Sequence, residues 1–290
     1  MRIPAGLAWW RGEPGGADWL ERLPGLVEEC AELWSLRVGE PFVGGNVAWV
    51  APAALADGRP VVLKVNFPEA ESEHEADALA LWAGRSAVRL LAADESRRAL
   101  LLERALPGTR LWEEPDGDET LGTAAQVLRG LWRPAPQGHR FRLLEDLAES
   151  WAEELPAAWE RRERPYERSL LTEAVAFLRE AGSSQGRQVV CHQDYHGGNV
   201  LRSAREPWLV IDPKPVVGER EFDTASLLRD RRWELRVEPH PGRRIRRRLD
   251  RLASVLDLDR ERMRGWGIAH ALAWDPDEDV IACARWLAAA

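Results

Sequence analysis

Residues 189–214 read VVCHQDYHGGNVLRSAREPWLVIDPK, and the rest of the chain is best approached from them. Two predicted strands, Val200 to Arg202 and Trp208 to Ile211, flank a turn that carries Ser203, Arg205 and Pro207, a pattern that predicts an antiparallel β-hairpin. Asn199 and Asp212 lie equally far from the middle of that turn, so the reading places them side by side, with Cα atoms about 4.5–5.5 Å apart. A carboxamide and a carboxylate at one hairpin end suit a hard cation such as Mg²⁺, which takes one or two carboxylates together with phosphate oxygens. Asp194 precedes Asn199 by five residues in a glycine-containing loop and is expected to face the same space. His192 and His196 flank Asp194 in an HxDxH pattern that also admits a zinc site, although no further His or Cys follows nearby to complete one. Cys191 is adjacent to His192 on a strand and points to the opposite face, as a core thiol.

The rare residues cluster on the same chemistry. Of 40 basic residues only two are lysines, Lys64 within VVLKV and Lys214 within IDPK. Lysine is a compact point charge on a thin stem, whereas arginine is a wide planar fork, so a buried site for a phosphate oxygen favours the former. Asparagine occurs only at Asn46, Asn66 and Asn199. Lys64 falls in the second strand of a predicted hairpin, Val47 to Val50 and Val61 to Val65, with Gly44 and Gly45 before it. A helix is predicted from Pro68 to Gly84, presenting Glu71, Glu75, Leu79 and Trp82 on one face. Glu75 is the expected partner of the Lys64 ammonium, with Glu71, one turn earlier, the alternative.

Around these segments the chain is an ordinary globular sequence. Its 290 residues are 45% hydrophobic and 30% charged, with a net charge of −8, which argues against a nucleic-acid-coating role. No apolar stretch reaches the ~18 residues that span a bilayer, and the amino terminus lacks a signal-like apolar run, so a cytoplasmic protein is expected. Three widely spaced cysteines, Cys30, Cys191 and Cys283, are expected to be reduced. Residues 1–40 read as helical, residues 47–106 as β-rich with one helix, and the remainder as helices near 119–132, 140–155, 156–181, 222–236, 241–256, 259–274 and 276–289. EEPDGDE at 113–119 reads as an exposed loop, and the ten arginines between Arg229 and Arg251 as a solvated face.

Phosphoryl transfer needs a metal bridging phosphates, a lysine on the phosphates that stay behind, and a carboxylate that orients the acceptor hydroxyl and takes its proton. Asn199 with Asp212, Lys64 and Asp194 supply those residue types. The segments HQDYHGGN (192–199), IDPK (211–214) and VGEREFDTASLL (217–228) resemble the aminoglycoside phosphotransferase family, in particular its streptomycin 6-kinase and hydroxyurea kinase branch. HEADALALWAG (74–84), AVRLLA (87–92) and LLERALPG (101–108) support the match, which runs from about Gly44 to Leu228.

That resemblance implies an α+β, bilobal protein-kinase-like fold, with a nucleotide-binding lobe at 1–106 and a catalytic, acceptor-binding lobe at 107–290. It implies Asp194 as the catalytic base, Asn199 and Asp212 as Mg²⁺ ligands, and Lys64 with Glu75 as the ATP phosphate-positioning pair. Gly44, Gly45 and Asn46 would cover the phosphates, and Glu103 to Ala105 would form a hinge that meets the adenine. His192 would brace the catalytic loop and Asp223 would tie it to the following helix, while Glu219 stands where relatives often carry Asp. The expected acceptor is a small hydroxyl compound, with a cationic aminosugar met by Asp275, Asp277 and Glu278 as one form and hydroxyurea, a sugar or an amino-alcohol as others. DPDED at 275–279 reads equally well as the start of the last helix. A catalytically silent nucleotide-binding module is the competing class, and protein kinase activity is disfavoured because only ten residues separate Asp212 from Asp223 and neither DFG nor APE is present. A monomer is expected.

Overall fold

Strand alternation organises the amino-terminal part of the chain: in VVLKVN every second side chain enters an apolar core, and the intervening ones carry the polar chemistry. The computed structural model describes residues 2–44, 47–274 and 276–290; the expected loop residues Gly45 and Asn46 and the expected acceptor ligand Asp275 lie outside the described residues. The chain divides into two compact units, 1–108 with 203–207, and 109–202 with 208–290. The boundary falls two residues beyond the sequence expectation. The turn 203–207 counts with the first unit because Arg205 donates to both carboxylate oxygens of Glu103 (2.8 and 2.9 Å) and to the carbonyls of Gly84 and Ala87.

The first unit holds helix α1 (Gly16–Leu33), strands β1 (Arg37–Val38), β2 (Ala48–Ala54) and β3 (Pro60–Asn66), helix α2 (Glu75–Trp82), and strands β4 (Leu90–Asp94) and β5 (Ala99–Glu103). The five strands form one antiparallel sheet in the order β1-β2-β3-β5-β4. On one face, Trp49, Leu63 and Val65 pack with Trp19, Leu23, Val27 and Cys30 of α1, whose apolar residues recur at helical spacing. Helix α2 starts seven residues later than predicted. Residues 70–74 are turns, and Glu75 rather than Pro68 opens the helix, which ends at two successive left-handed residues, Ala83 (φ 51°) and Gly84 (φ 80°).

Strand β6 (Pro107–Arg110) spans the unit boundary. The second unit contains α3 (Asp118–Leu131), β7 (Arg142–Leu143), α4 (Leu144–Arg161), α5 (Arg168–Ser183), β8 (Gln188–Cys191), β9 (Val200–Ser203), β10 (Trp208–Val210), β11 (Val216–Glu219), α6 (Ala225–Leu228), α7 (Arg232–Leu235), α8 (Pro241–Leu256), α9 (Arg260–Ala273) and α10 (Glu278–Ala288). Three expectations change here. Helix α4 runs through Pro156, where the sequence reading broke it, because burial of Trp151, Leu155 and Trp159 on one face outweighs the ~3 kcal/mol cost of an internal proline. The predicted single helix at 222–236 is interrupted at Arg231, which adopts φ 55°. The acidic loop 113–119 is not simply solvated: Asp118 pairs with Arg247 at 2.7 Å, and Asp116 pairs with Arg248 at 3.4 Å and with Arg244. Part of the arginine-rich helix α8 therefore answers charge within the chain. Among the described residues, no helix is long and apolar enough to cross a membrane.

Candidate active site

In the first unit the chemistry sits on the face of β3 opposite its core. Lys64 and Asn66, two residues apart, project on the same side as Glu75, the first residue of α2. Lys64 Nζ lies 2.7 Å from both carboxylate oxygens of Glu75, and Asn66 Nδ2 donates to Glu75 Oε2 at 2.9 Å. All three side chains are buried. A charge pair withdrawn from water needs such additional donors, and the helix amino terminus also favours the Glu75 carboxylate. Gly44, the one described member of the expected phosphate loop, has φ 94°, a left-handed conformation suited to glycine. Glu103 ends β5, with its carboxylate held by Arg205 and by the N–H of Arg89; burial pushes that carboxyl up, but these hydrogen bonds outweigh it and leave it below its ordinary range. Ala105 follows as a buried residue.

In the second unit the segment after β8 is held by its backbone. The carboxylate of Asp223 accepts from the N–H of His192 (2.7 Å), the N–H of Gln193 (2.9 Å) and the indole of Trp132 (3.0 Å). Burial pushes Asp223 up to about 6 against those bonds. Gln193 takes φ 66°, Ser226 Oγ donates to its carbonyl, and the turn presents Asp194 to solvent with about a quarter of its side chain exposed. His192 is fully buried; its Nε2 donates to Ile211 O at 3.0 Å, and burial lowers its pKa to about 4, so it is a neutral brace at pH 7. Tyr195 is likewise buried, and its hydroxyl donates to Ala124 O.

Two side chains hold Asp194. Asn199 Nδ2 donates to Asp194 O at 3.0 Å and lies 3.4 Å from Oδ2, while His196 Nε2 lies 3.6 Å from Oδ1. His196 Nδ1 accepts from Gly198 N–H, which leaves the proton on Nε2, toward Asp194. With one His nitrogen accepting from backbone and the other His donating to a carbonyl, the HxDxH pattern does not form a zinc site; among the described residues no trio of His, Cys, Asp or Glu groups as one. His196 stacks on Trp112 (5.7 Å, 22°); a Cβ on Gly198 would run into the Trp112 ring, and one on Gly197 would stand 2.8 Å from Asp230 Oδ2 and 3.1 Å from Trp112 N. Asp230 accepts from Gly197 N–H at 2.8 Å.

The hairpin register differs by one residue from the expectation. Val200 pairs with Val210, and Ile211 N–H donates to Asn199 O, so Asn199 faces Ile211 rather than Asp212. The tip is an odd loop centred on Arg205, which shifts the pairing by one position. Asp212 lies just beyond, with φ 60° turning the chain at the hairpin end. The donor set still fits a hard cation: the Asn199 amide nitrogen is committed to Asp194, so its oxygen remains as donor beside a carboxylate one residue past the pair.

A shallow pocket with a cavity of about 60 Å³ opens between α4 and the chain after α9, lined by Trp151, Glu154, Trp159, Arg162, Tyr166 and Pro276 among others. Contacts connect it toward the Asp194 loop: Trp151 meets the His270 ring edge-on at 5.7 Å, His270 Nδ1 accepts from Arg229 at 2.8 Å, and Arg229 also donates to Ser226 Oγ. Asp277 caps α10 by accepting from Val280 N–H and pairs with Arg232, and Glu278 lies exposed in the first turn of α10. Glu219, the departure noted in the sequence, is fully buried and takes both Arg262 nitrogens, the Trp266 indole and Gly186 N–H. The longer side chain spans to α9.

The family model for aminoglycoside/hydroxyurea antibiotic resistance kinases matches residues 34–275. The chain belongs to this family. It is 37% identical to a streptomycin 6-kinase of Streptomyces griseus over 98% of this chain and 94% of that one. It is 36% identical to a hydroxyurea phosphotransferase of Kitasatospora aureofaciens over 97% and 82%. Among solved structures, an aminoglycoside phosphotransferase of Streptomyces rimosus in complex with ADP and streptomycin superposes with a TM-score of 0.58 at 16% identity, covering 89% of this chain and 99% of that one. A choline kinase of Streptococcus pneumoniae gives 0.58 at 12% identity, covering 93% and 100%. The fold is thus the α+β protein-kinase-like one, and the protein is a phosphotransferase of the kinase type with a hydroxyl group as acceptor.

Four features escaped the sequence reading: Asn66 as partner of Glu75, His196 beside Asp194, Trp112 beneath the two glycines, and Arg205 on Glu103. The scarcity of asparagine flagged the first and the HxDxH spacing the second. Contacts to Trp112 and Arg205 join residues more than eighty positions apart and left no local signal.

Proposed function

We propose that this kinase transfers the γ-phosphate of ATP to a hydroxyl of a streptomycin-like aminoglycoside, an act that inactivates the antibiotic and confers resistance. The observation that carries the proposal is the holding of Asp194: a partly exposed carboxylate oriented by Asn199 and His196 on a loop pinned by Asp223. Asp194 orients the acceptor hydroxyl and takes its proton as the oxygen attacks phosphorus. Asn199 and Asp212 would hold Mg²⁺, which when bound offsets the charge of the phosphate oxygens. In the other unit, Lys64 would supply positive charge to the phosphates, and Glu75 fixes its position. Glu103 to Ala105 meet the adenine through backbone groups.

The acceptor is assigned to the pocket beside α4. Its Trp151, Trp159 and Tyr166 walls offer aromatic faces and Glu154 a carboxylate to a cationic sugar, with Arg162 also in the lining. Glu278, two residues beyond Pro276 of the pocket wall and exposed, adds negative charge that attracts such a cation.

The test is ADP release with Mg²⁺, ATP and a panel containing streptomycin, hydroxyurea, a neutral sugar and an amino-alcohol. Turnover with streptomycin and a phosphorylated product is expected. ATP binding without ADP release above background for any acceptor would replace this reading with that of a silent nucleotide-binding module.

A further inference from the structure

Asn66 is one of three asparagines in 290 residues, and no step described so far uses it. We propose that Asn66 is a positioning residue for phosphate binding: its amide holds the Glu75 carboxylate, so that Lys64 presents its ammonium in one fixed geometry to a triphosphate anion. The inference rests on the ATP-dependent reading above and deepens it.

Strand alternation puts Lys64 and Asn66 on one face of β3, while Val65 between them enters the opposite core. The Lys64 ammonium ends a long stem with many rotamers and alone fixes its partner poorly. Asn66 has a short stem on a paired strand, opposite Ala48 in the sheet and with its own N–H donating to Arg98 O at 2.9 Å. It therefore places a rigid donor 2.9 Å from Glu75 Oε2, while Lys64 Nζ lies 2.7 Å from the same oxygen and from Oε1. The carboxylate is clamped from a second direction and cannot swing with the lysine.

A second observation concerns the other end of the Asn66 amide. Asn66 is 4% exposed, and its Oδ1 has no hydrogen-bond partner among the described residues. A buried, unpaired amide oxygen lowers stability, a cost set against the hydrogen bond that the same side chain gives the buried Glu75 carboxylate. The amide is accounted for at this position by its N–H on Glu75.

The experiment compares wild type, Asn66→Leu and Asn66→Asp in the full chain by nucleotide titration calorimetry, by KM for ATP and for the acceptor, and by thermal melting. Asn66→Leu is expected to raise the KM for ATP and the ADP dissociation constant about tenfold, the scale of one lost hydrogen bond to a charged group. Its acceptor KM should stay within about twofold, and its Tm should fall by no more than the loss of one hydrogen bond to a buried carboxylate accounts for. Asn66→Asp, of the same shape but with a second carboxylate against Glu75, should lose more, about a hundredfold in kcat/KM for ATP. A lower Tm for Asn66→Leu with wild-type nucleotide constants would overturn the inference and make Asn66 structural. If wild type binds ATP and Asn66→Leu binds it equally, this inference alone fails. If wild type binds neither ATP nor ADP, the parent reading fails with it.

Discussion

Substituting Gly198 with alanine tests how tightly the catalytic loop is built. Gly198 does not need a left-handed backbone, so alanine meets no conformational penalty there. Its Cβ, however, would stand 2.6 Å from Trp112 Cη2 and 2.8 Å from His196 Cε1, against an ordinary contact near 3.4–4 Å. About 1 Å of movement is then required of one partner. The Trp112 ring is confined by His196 on one face, by the edge of Trp233 at 5.3 Å and by the Arg110 guanidinium at 5.2 Å. The loop yields instead, and with it His196 and Asn199, the two groups that hold Asp194. Overpacking of this kind costs about 1–3 kcal/mol, and a misplacement of about 1 Å at the reacting centre costs about a hundredfold in rate. Gly198→Ala should therefore lower Tm by about 2–4 °C per kcal/mol and reduce kcat about 10- to 100-fold in a coupled ADP assay. Adding Trp112→Ala should recover part of kcat by restoring room. Wild-type kcat and Tm in the single variant would refute the reasoning.

Further outcomes follow from other parts of the molecule. Lys64→Met leaves the buried Glu75 carboxylate without its cation and should cost about 3–5 kcal/mol in urea unfolding, much of which the double variant Lys64→Met/Glu75→Leu regains while remaining inactive; equal stability of all three proteins would contradict the buried pair. Glu219→Ala should cost a similar amount, about 3–5 kcal/mol, by stranding Arg262 and the Trp266 indole, with little change in the KM for ATP of the folded enzyme. Thermal melting against pH should show stability rising from about pH 4 to 6.5. Burial lowers His192 to about 4 and His270 well below 6.5, so the stability linked to each is full above 6.5 and is lost as pH falls through the folded value. Asp223, raised from 3.8 to about 6, has the opposite sign over much of that window, but two groups act against one. A profile that falls over that window would contradict the buried neutral histidines.

Much of the site was legible because its residues are close in sequence. Asp194, Asn199 and Asp212 lie within nineteen residues of one another, and Lys64 stood out as one of two lysines in an arginine-rich chain. Helical spacing offered Glu75 as the partner of Lys64 with Glu71 as the alternative, and Glu75 is the one seen at 2.7 Å. Register was less legible: whether the hairpin tip holds an odd or even number of residues depends on where Arg205 docks, which is decided by Glu103 a hundred positions away. Proline misled at Pro156, where local propensity lost to the burial of Trp151, Leu155 and Trp159. Strand β11, only four residues long, exists through its pairing with β8 and β7 and left no mark in periodicity. Glu219 became intelligible only with Arg262 and Trp266, more than forty residues further on.

The central claim is that Asp194 takes the proton of an acceptor hydroxyl during phosphate transfer from ATP. Single-turnover transfer of γ-labelled phosphate from ATP to streptomycin, measured for wild type and Asp194→Ala at matched nucleotide saturation, tests it most directly. Labelled phosphostreptomycin from wild type, with transfer by Asp194→Ala at least about a thousandfold slower and nucleotide affinity kept, is the predicted result. Equal transfer by the two proteins would contradict it.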